Sequence, residues 1–153
     1  MRDILVQKVW VKLFGDNDHL LFGSPNISVD LSTLHPEPLQ IFRLWQIYLD
    51  NVNPLIKVTH TPTLQGRIIE AAGNVTNISP PLDALMFSIY CVAILSFDAD
   101  DCYTTFGSSK KDLSTKFQFG CQQALLNCSF LRSSELECLT ALYLYLVSVL
   151  SDG

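Results

Sequence analysis

An all-α fold is predicted for this 153-residue chain by three observations. Apolar residues recur at three-to-four-residue spacing in one segment after another, the period of a single buried helical face. Proline and Ser/Thr stand where first turns of helices would begin, and no stretch alternates polar with apolar as a half-buried strand would. Two strongly apolar runs, Ala84 to Phe97 and Cys138 to Leu150, are each about fourteen residues at most, short of the roughly twenty that cross a bilayer. They are expected as core helices of an incomplete bundle of about six.

Ile4, Leu5, Val9, Trp10, Leu13 and Phe14 have helical spacing and predict a short amphipathic helix, ended by the acidic turn Gly15 to His19. Leu20 to Leu34 mixes Gly, Ser, Pro and Asn with apolar residues and has no period, so an extended loop is expected there. These residues 1–34 stand apart from a regular domain over 35–153. Pro36 and Pro38 suit a first turn, where a missing N–H costs nothing. Leu44, Trp45, Tyr48, Val52 and Leu55 then form one buried stripe. Pro54 forces a kink or stop near Asn53, because its ring clashes with the preceding turn.

Thr61 followed by Pro62 offers an N-cap and a first helical residue. Leu64, Ile68, Ile69 and Ala72 make the inward stripe of that helix, with Gly73 as its C-terminal cap. Beyond the polar loop Asn74 to Ser79, Ser79 with Pro80 and Pro81 opens a helix reaching about Phe97. That helix is apolar nearly all round, as a central, surrounded element would be. Asp98 to Asp101 is an acidic turn, or a first turn whose carboxylates stabilise a short helix over Cys102 to Phe106 by about 0.3–1 kcal/mol. Ser109 to Cys128 follows as a helix with Leu113, Phe117, Cys121, Ala124, Leu125 and Cys128 inward. Ser134 and Glu137 have the spacing of a capping box for the last helix, to Leu150.

Composition narrows the function classes. Hydrophobic residues are 48% and charged residues only 16%, which implies a helix-packed core or apolar surface reserved for a partner. A net charge of −5 and pI near 4.9 argue against gripping a phosphate backbone, which needs clustered cations. Lys110-Lys111 is the one adjacent basic pair and is expected as a solvated helix start. With Asp3, Gln7 and Lys8 near Met1, no secretory apolar region is expected.

The five cysteines (Cys91, Cys102, Cys121, Cys128 and Cys138) are an odd set without C-x-x-C spacing, expected as buried thiols rather than disulfides or a zinc site. The sequons at Asn26, Asn74, Asn77 and Asn127 discriminate nothing without a secretory signal. His19, His35 and His60 fall in a loop, a helix start and a turn, with no nucleophile elbow or Gly-rich phosphate loop. Asp98, Asp100 and Asp101 lack the glycine and distal glutamate of a calcium loop. No catalytic, cofactor-binding or metal-ligating residue is therefore assigned, and the chain is expected not to be an enzyme.

One stretch carries more specific information. Leu44-Trp45, Tyr48, Val52-Asn53-Pro54-Leu55 and His60-Thr61-Pro62-Thr63 occur in that order. Leu21-Phe22-Gly23 and Val29-Asp30-Leu31 precede them; EAAGN (Glu70 to Asn74), ALMFSIYCVAILS (Ala84 to Ser96) and FGCQQAL (Phe119 to Leu125) follow. This series resembles the opening of the fungal-specific transcription factor domain, the regulatory middle region of fungal zinc-cluster regulators. The resemblance covers most of the chain and is weakest over the first twenty residues.

The resemblance implies a nuclear regulatory and interaction domain, truncated on its C-terminal side, acting through helix–helix contacts with the remainder of the domain or in homo- or heterodimers. It admits a small-molecule effector and gives no role at a membrane. Zinc and DNA binding belong to an N-terminal six-cysteine cluster that this chain does not contain, so no cofactor is expected here. Other readings of the same residues are a standalone helical partner, a small-ligand-binding protein, or the product of a gene fragment.

Overall fold

The computed structural model describes residues 30–128 and 136–151. Among the described residues there are six α-helices and no strand. They are α1 (Pro38–Ile47), α2 (Thr61–Ala72), α3 (Pro80–Ser96), α4 (Ala99–Phe106), α5 (Lys110–Asn127) and α6 (Leu136–Ser151). Short 3-10 turns form at Leu31–Thr33 and Val75–Asn77. The expected helix over Ile4 to Phe14, the acidic turn after it, His19 and the Ser134 half of the capping box lie outside the described residues.

α3 is the axis of the bundle. Every residue from Leu82 to Ile94 is buried, because α1, α5 and α6 pack around it. A helix apolar on all sides is stable in water only when surrounded. α5 runs antiparallel to α3, and Gly120 of α5 faces Phe87 of α3 at close range. A Cβ there would stand 2.6 Å from Cε1 of Phe87, inside van der Waals contact. Phe87 is itself fully buried and packed at a tilt against the His35 ring, 4.4 Å between centroids, so its ring has little room to yield. Gly120→Ala is expected to destabilise the fold by about 1–3 kcal/mol through overpacking. Gly66→Ala is the opposite case: nothing lies within 4 Å of the added methyl, and relief of backbone entropy should stabilise by roughly 0.5–1 kcal/mol. Urea midpoints of the two variants measured side by side check both signs.

Pro54 acts as the sequence predicts. α1 widens into a π-helical turn over Tyr48–Val52, closed by Asn53 N–H donating to the Tyr48 carbonyl at 2.9 Å. Tyr48 and Val52 remain buried, but Leu55 is 83% exposed. The helical period that placed it inward ends at the proline, and the following turn points it to solvent. Ile69 departs in the same way, 53% exposed, while Ala71 takes the inward place beside Leu64, Ile68 and Ala72.

Most helix ends follow the sequence closely, while α4 begins at Ala99, three residues before the expected Cys102. His60, not Thr61, is the N-cap of α2, and its Nδ1 contacts Thr63 Oγ1 at 2.8 Å. Gly73 closes α2 in the right-handed region. Ser79 caps α3 without a side-chain hydrogen bond; Pro80 and Pro81 leave two of the first amides without an N–H to donate. Asp98 accepts from the Asp100 amide at 2.8 Å and starts α4, and Gly107 ends it at φ 73. Ser109 accepts from the Asp112 amide at 3.1 Å and starts α5. The end of the expected loop before His35 is instead a turn, capped by Asp30 accepting from the Ser32 amide and hydroxyl at 3.1 and 2.6 Å.

Candidate interaction site

Two polar clasps close the bundle and leave one face of α6 open. The first is buried. His35 lies between the Leu31–Thr33 turn and α1, and its ring is fully enclosed by α3. Nε2 is 2.6 Å from Asp83 Oδ1, and Nδ1 is 3.0 Å from the Tyr90 hydroxyl. A carboxylate only accepts, so Nε2 carries a proton and donates to Asp83, while Nδ1 pairs with the Tyr90 hydroxyl. Asp83 and Tyr90 stand two turns apart on one side of α3, which lets a single imidazole bridge them. Burial, and then the Asp83 charge, push the Tyr90 phenol well above its ordinary value.

The second clasp is half-buried. Arg67 of α2 holds both carboxylate oxygens of Glu137 at the start of α6, Nη2 lying 3.3 Å from Oε2. Glu137 thus takes part in a tertiary pair; its expected capping partner Ser134 lies outside the described residues. A small open notch of about 170 Å³ adjoins it, lined among others by His60, Thr63, Leu64 and Leu136.

Lys110 also departs from expectation. It is no solvated pair with Lys111: its ammonium donates to the Leu95 and Phe97 carbonyls at 3.0 and 2.8 Å. A cation there satisfies carbonyls that the end of α3 leaves without intrahelical partners. Lys111 stays exposed beside an open concavity of about 960 Å³ between α4 and α5.

All five cysteines are thiols; Cys91, Cys102, Cys121 and Cys138 are buried and Cys128 half-buried. Burial and a hydrogen bond with Cys91 raise the Cys121 thiol well above its usual value of 9.0. Burial raises the Tyr145 phenol to about 12, offset in part by the Gln122 amide donating to its oxygen at 2.7 Å. These groups hold protons in the fold that they release in the unfolded chain, so stability is fully present below about pH 9. It is expected to fall as pH rises through 9 toward 12, because unfolded thiols and phenols ionise first. Denaturant midpoints taken from pH 8 to pH 11 would show a plateau followed by a decline.

The open face lies on α6. Cys138, Ala141, Leu142, Leu144, Tyr145 and Ser148 are buried against the bundle. On the other side Leu136 is 75% exposed, Leu139 38%, Tyr143 44% and Leu150 67%. Leu146, Val147 and Val149 are half-buried. The helix is apolar all round but covered on one side only. Among the described residues no group of histidine, cysteine and acidic side chains could hold a metal ion, and no helix is long and apolar enough to cross a membrane.

No family model matches the chain, and no solved structure matches it. Named proteins do. It is 64% identical over 154 residues to Transcriptional regulator AacuB of Aspergillus aculeatus, covering 99% of this chain and 21% of that protein. Transcriptional regulator nsrM of Aspergillus novofumigatus is 54% identical over 132 residues, 86% of this chain and 19% of its own length. A more distant relative, C6 finger domain transcription factor adaR of Aspergillus niger, is 28% identical over 134 residues, 85% of this chain and 17% of its length. The chain therefore spans about a fifth of the curated relatives it matches, and it is similar to a region within fungal transcription regulators.

Proposed function

We propose that this chain is a regulatory and interaction segment of a fungal zinc-cluster transcription regulator, acting in the nucleus. The single observation that carries the reading is its 64% identity to a transcriptional regulator across 99% of its length. Its acidic balance, −5 overall, supports placing DNA contact in another part of the polypeptide. Zinc likewise belongs to a cysteine cluster outside these residues, and no cofactor acts here. The uncovered leucine face of α6 is the surface through which the segment meets protein, since contiguous exposed apolar area on a soluble domain marks a partner site.

The test is a chimera. This chain replaces the corresponding segment of the Aspergillus aculeatus regulator, and transcription from a reporter under that regulator is read. The chimera is expected to support regulated transcription. A version carrying Leu139→Glu and Leu146→Glu is expected to lose control while still occupying its promoter. Equal regulation by both versions would sink the proposal, as would equal regulation by an unrelated helical bundle in the same place.

A further inference from the structure

α2 is held to the bundle by little. α1, α5 and α6 close around α3, whereas α2 lies chiefly on α1 and the Val75–Asn77 turn. It buries Leu64, Ile68, Ala71 and Ala72, where α3 buries every residue from Leu82 to Ile94. Ile69 and Glu70 face solvent. Irregular chain precedes the helix from Ile56 to His60, and Gly73 and Asn74 follow it, so both of its ends can pivot without breaking another helix.

Gly66 weakens α2 from within. A mid-helix glycine lowers helix stability, and here no neighbour lies within 4 Å of the place a Cβ would take. Packing therefore gives no reason for the glycine. The polar ties on either side are light. Trp45 Nε1 donates to Gln65 Oε1 at 3.0 Å on the α1 side, and Arg67 holds Glu137 on the α6 side. That ion pair keeps 39% and 29% of its side-chain surface in water, where its worth is small.

α2 also closes a seam. The notch between α2 and α6 has Leu64 and Arg67 on one wall, Leu136 and Thr140 on the other, and Leu85 of α3 in its lining. Lifting α2 would turn that notch into an apolar trough running from Leu85 to Leu136, where the open face of α6 begins.

We propose that α2 is a displaceable flap, latched by Arg67 and Glu137, that sets how much apolar surface the α6 face offers to a partner. The regulatory half of this inference rests on the interaction reading above; the opening of α2 does not.

Hydrogen–deuterium exchange of the 153-residue chain, read by mass spectrometry across a series of low urea concentrations, is the test. Amides of α2 are expected to be at least about tenfold less protected than those of α3, as a local opening requires. Their exchange should depend weakly on urea, because that opening exposes little surface, whereas exchange in α3 rises steeply. Glu137→Gln, a change made on α6, is expected to speed exchange in α2 by about two- to fivefold. Gly66→Ala is expected to slow it by about two- to fivefold.

Equal protection and equal urea dependence in α2 and α3 would overturn the flap, since α2 would then open only with the whole fold. Unchanged α2 exchange in Glu137→Gln would overturn the latch. In the chimera, Gly66→Ala steadies α2 without altering α6 and is expected to lower the response in proportion to the lost open population, about two- to fivefold. A full response alongside slowed α2 exchange would overturn the regulatory half, while the glutamate substitutions on α6 judge the interaction reading separately.

Discussion

Asp83→Ala is expected to lower the unfolding free energy by about 3–5 kcal/mol, the cost of removing one partner from a buried polar pair. The loss is large because of what remains. The His35 ring is fully enclosed, so without Asp83 its Nε2 loses the carboxylate that accepts from it, and a buried unmade hydrogen bond carries the full desolvation penalty. Replacing all three members together, with His35→Leu, Asp83→Leu and Tyr90→Phe, is expected to cost less than Asp83→Ala alone. An apolar set of similar volume leaves nothing unsatisfied. Chemical denaturation of both variants decides the matter. A triple variant less stable than the single one would mean that packing around His35, rather than its hydrogen bonds, holds this corner.

Phe87→Ala is expected to cost about 3–5 kcal/mol, in the range for emptying a buried aromatic site. Phe87 lies at the crossing of α3 and α5, 4.4 Å from the His35 ring and 5.4 Å from Tyr90, centroid to centroid. Its removal opens a cavity and withdraws the ring that packs against His35. The close approach at Gly120 gives this variant a second signature. In a Phe87→Ala background the added methyl of Gly120→Ala has space, so the two substitutions together should cost less than the sum of their separate effects. A double-mutant cycle measures that coupling, and strict additivity would contradict the crossing described here.

The helices themselves were largely legible in the sequence. The helix over Ser109 to Cys128, the break at Pro54 and the enclosure of α3 follow from local residue chemistry, which acts over one or two turns. The errors share a cause of longer range. Leu55 and Ile69 carry the right periodicity for burial but stand where the chain turns or where no neighbour arrives. Lys110 looks solvated until the end of α3 is brought against it. The pairing of Glu137 with Arg67, 70 positions away, likewise has no local signature. His35 is the clearest case: its partners lie 48 and 55 positions downstream, and nothing in its local sequence distinguishes it from a histidine at a helix start. The apolar excess of Cys138 to Leu150 was visible, whereas which side of it would stay open required the packed neighbours, and Cys138 itself proves to be buried.

The reach of the His35 clasp also sets when it can form. Closing a loop of about fifty residues has an entropy cost that contacts within a helix or between adjacent helices avoid. His35 should therefore settle onto Asp83 and Tyr90 only after α3 and α5 have docked, on the native side of the rate-limiting step. Weakening the clasp would then leave the rate of folding almost unchanged and shorten the lifetime of the folded molecule instead. In stopped-flow chevrons the steepest loss from Asp83→Ala should appear in the unfolding limb, making this one imidazole a determinant of how long the domain persists rather than of how quickly it is made.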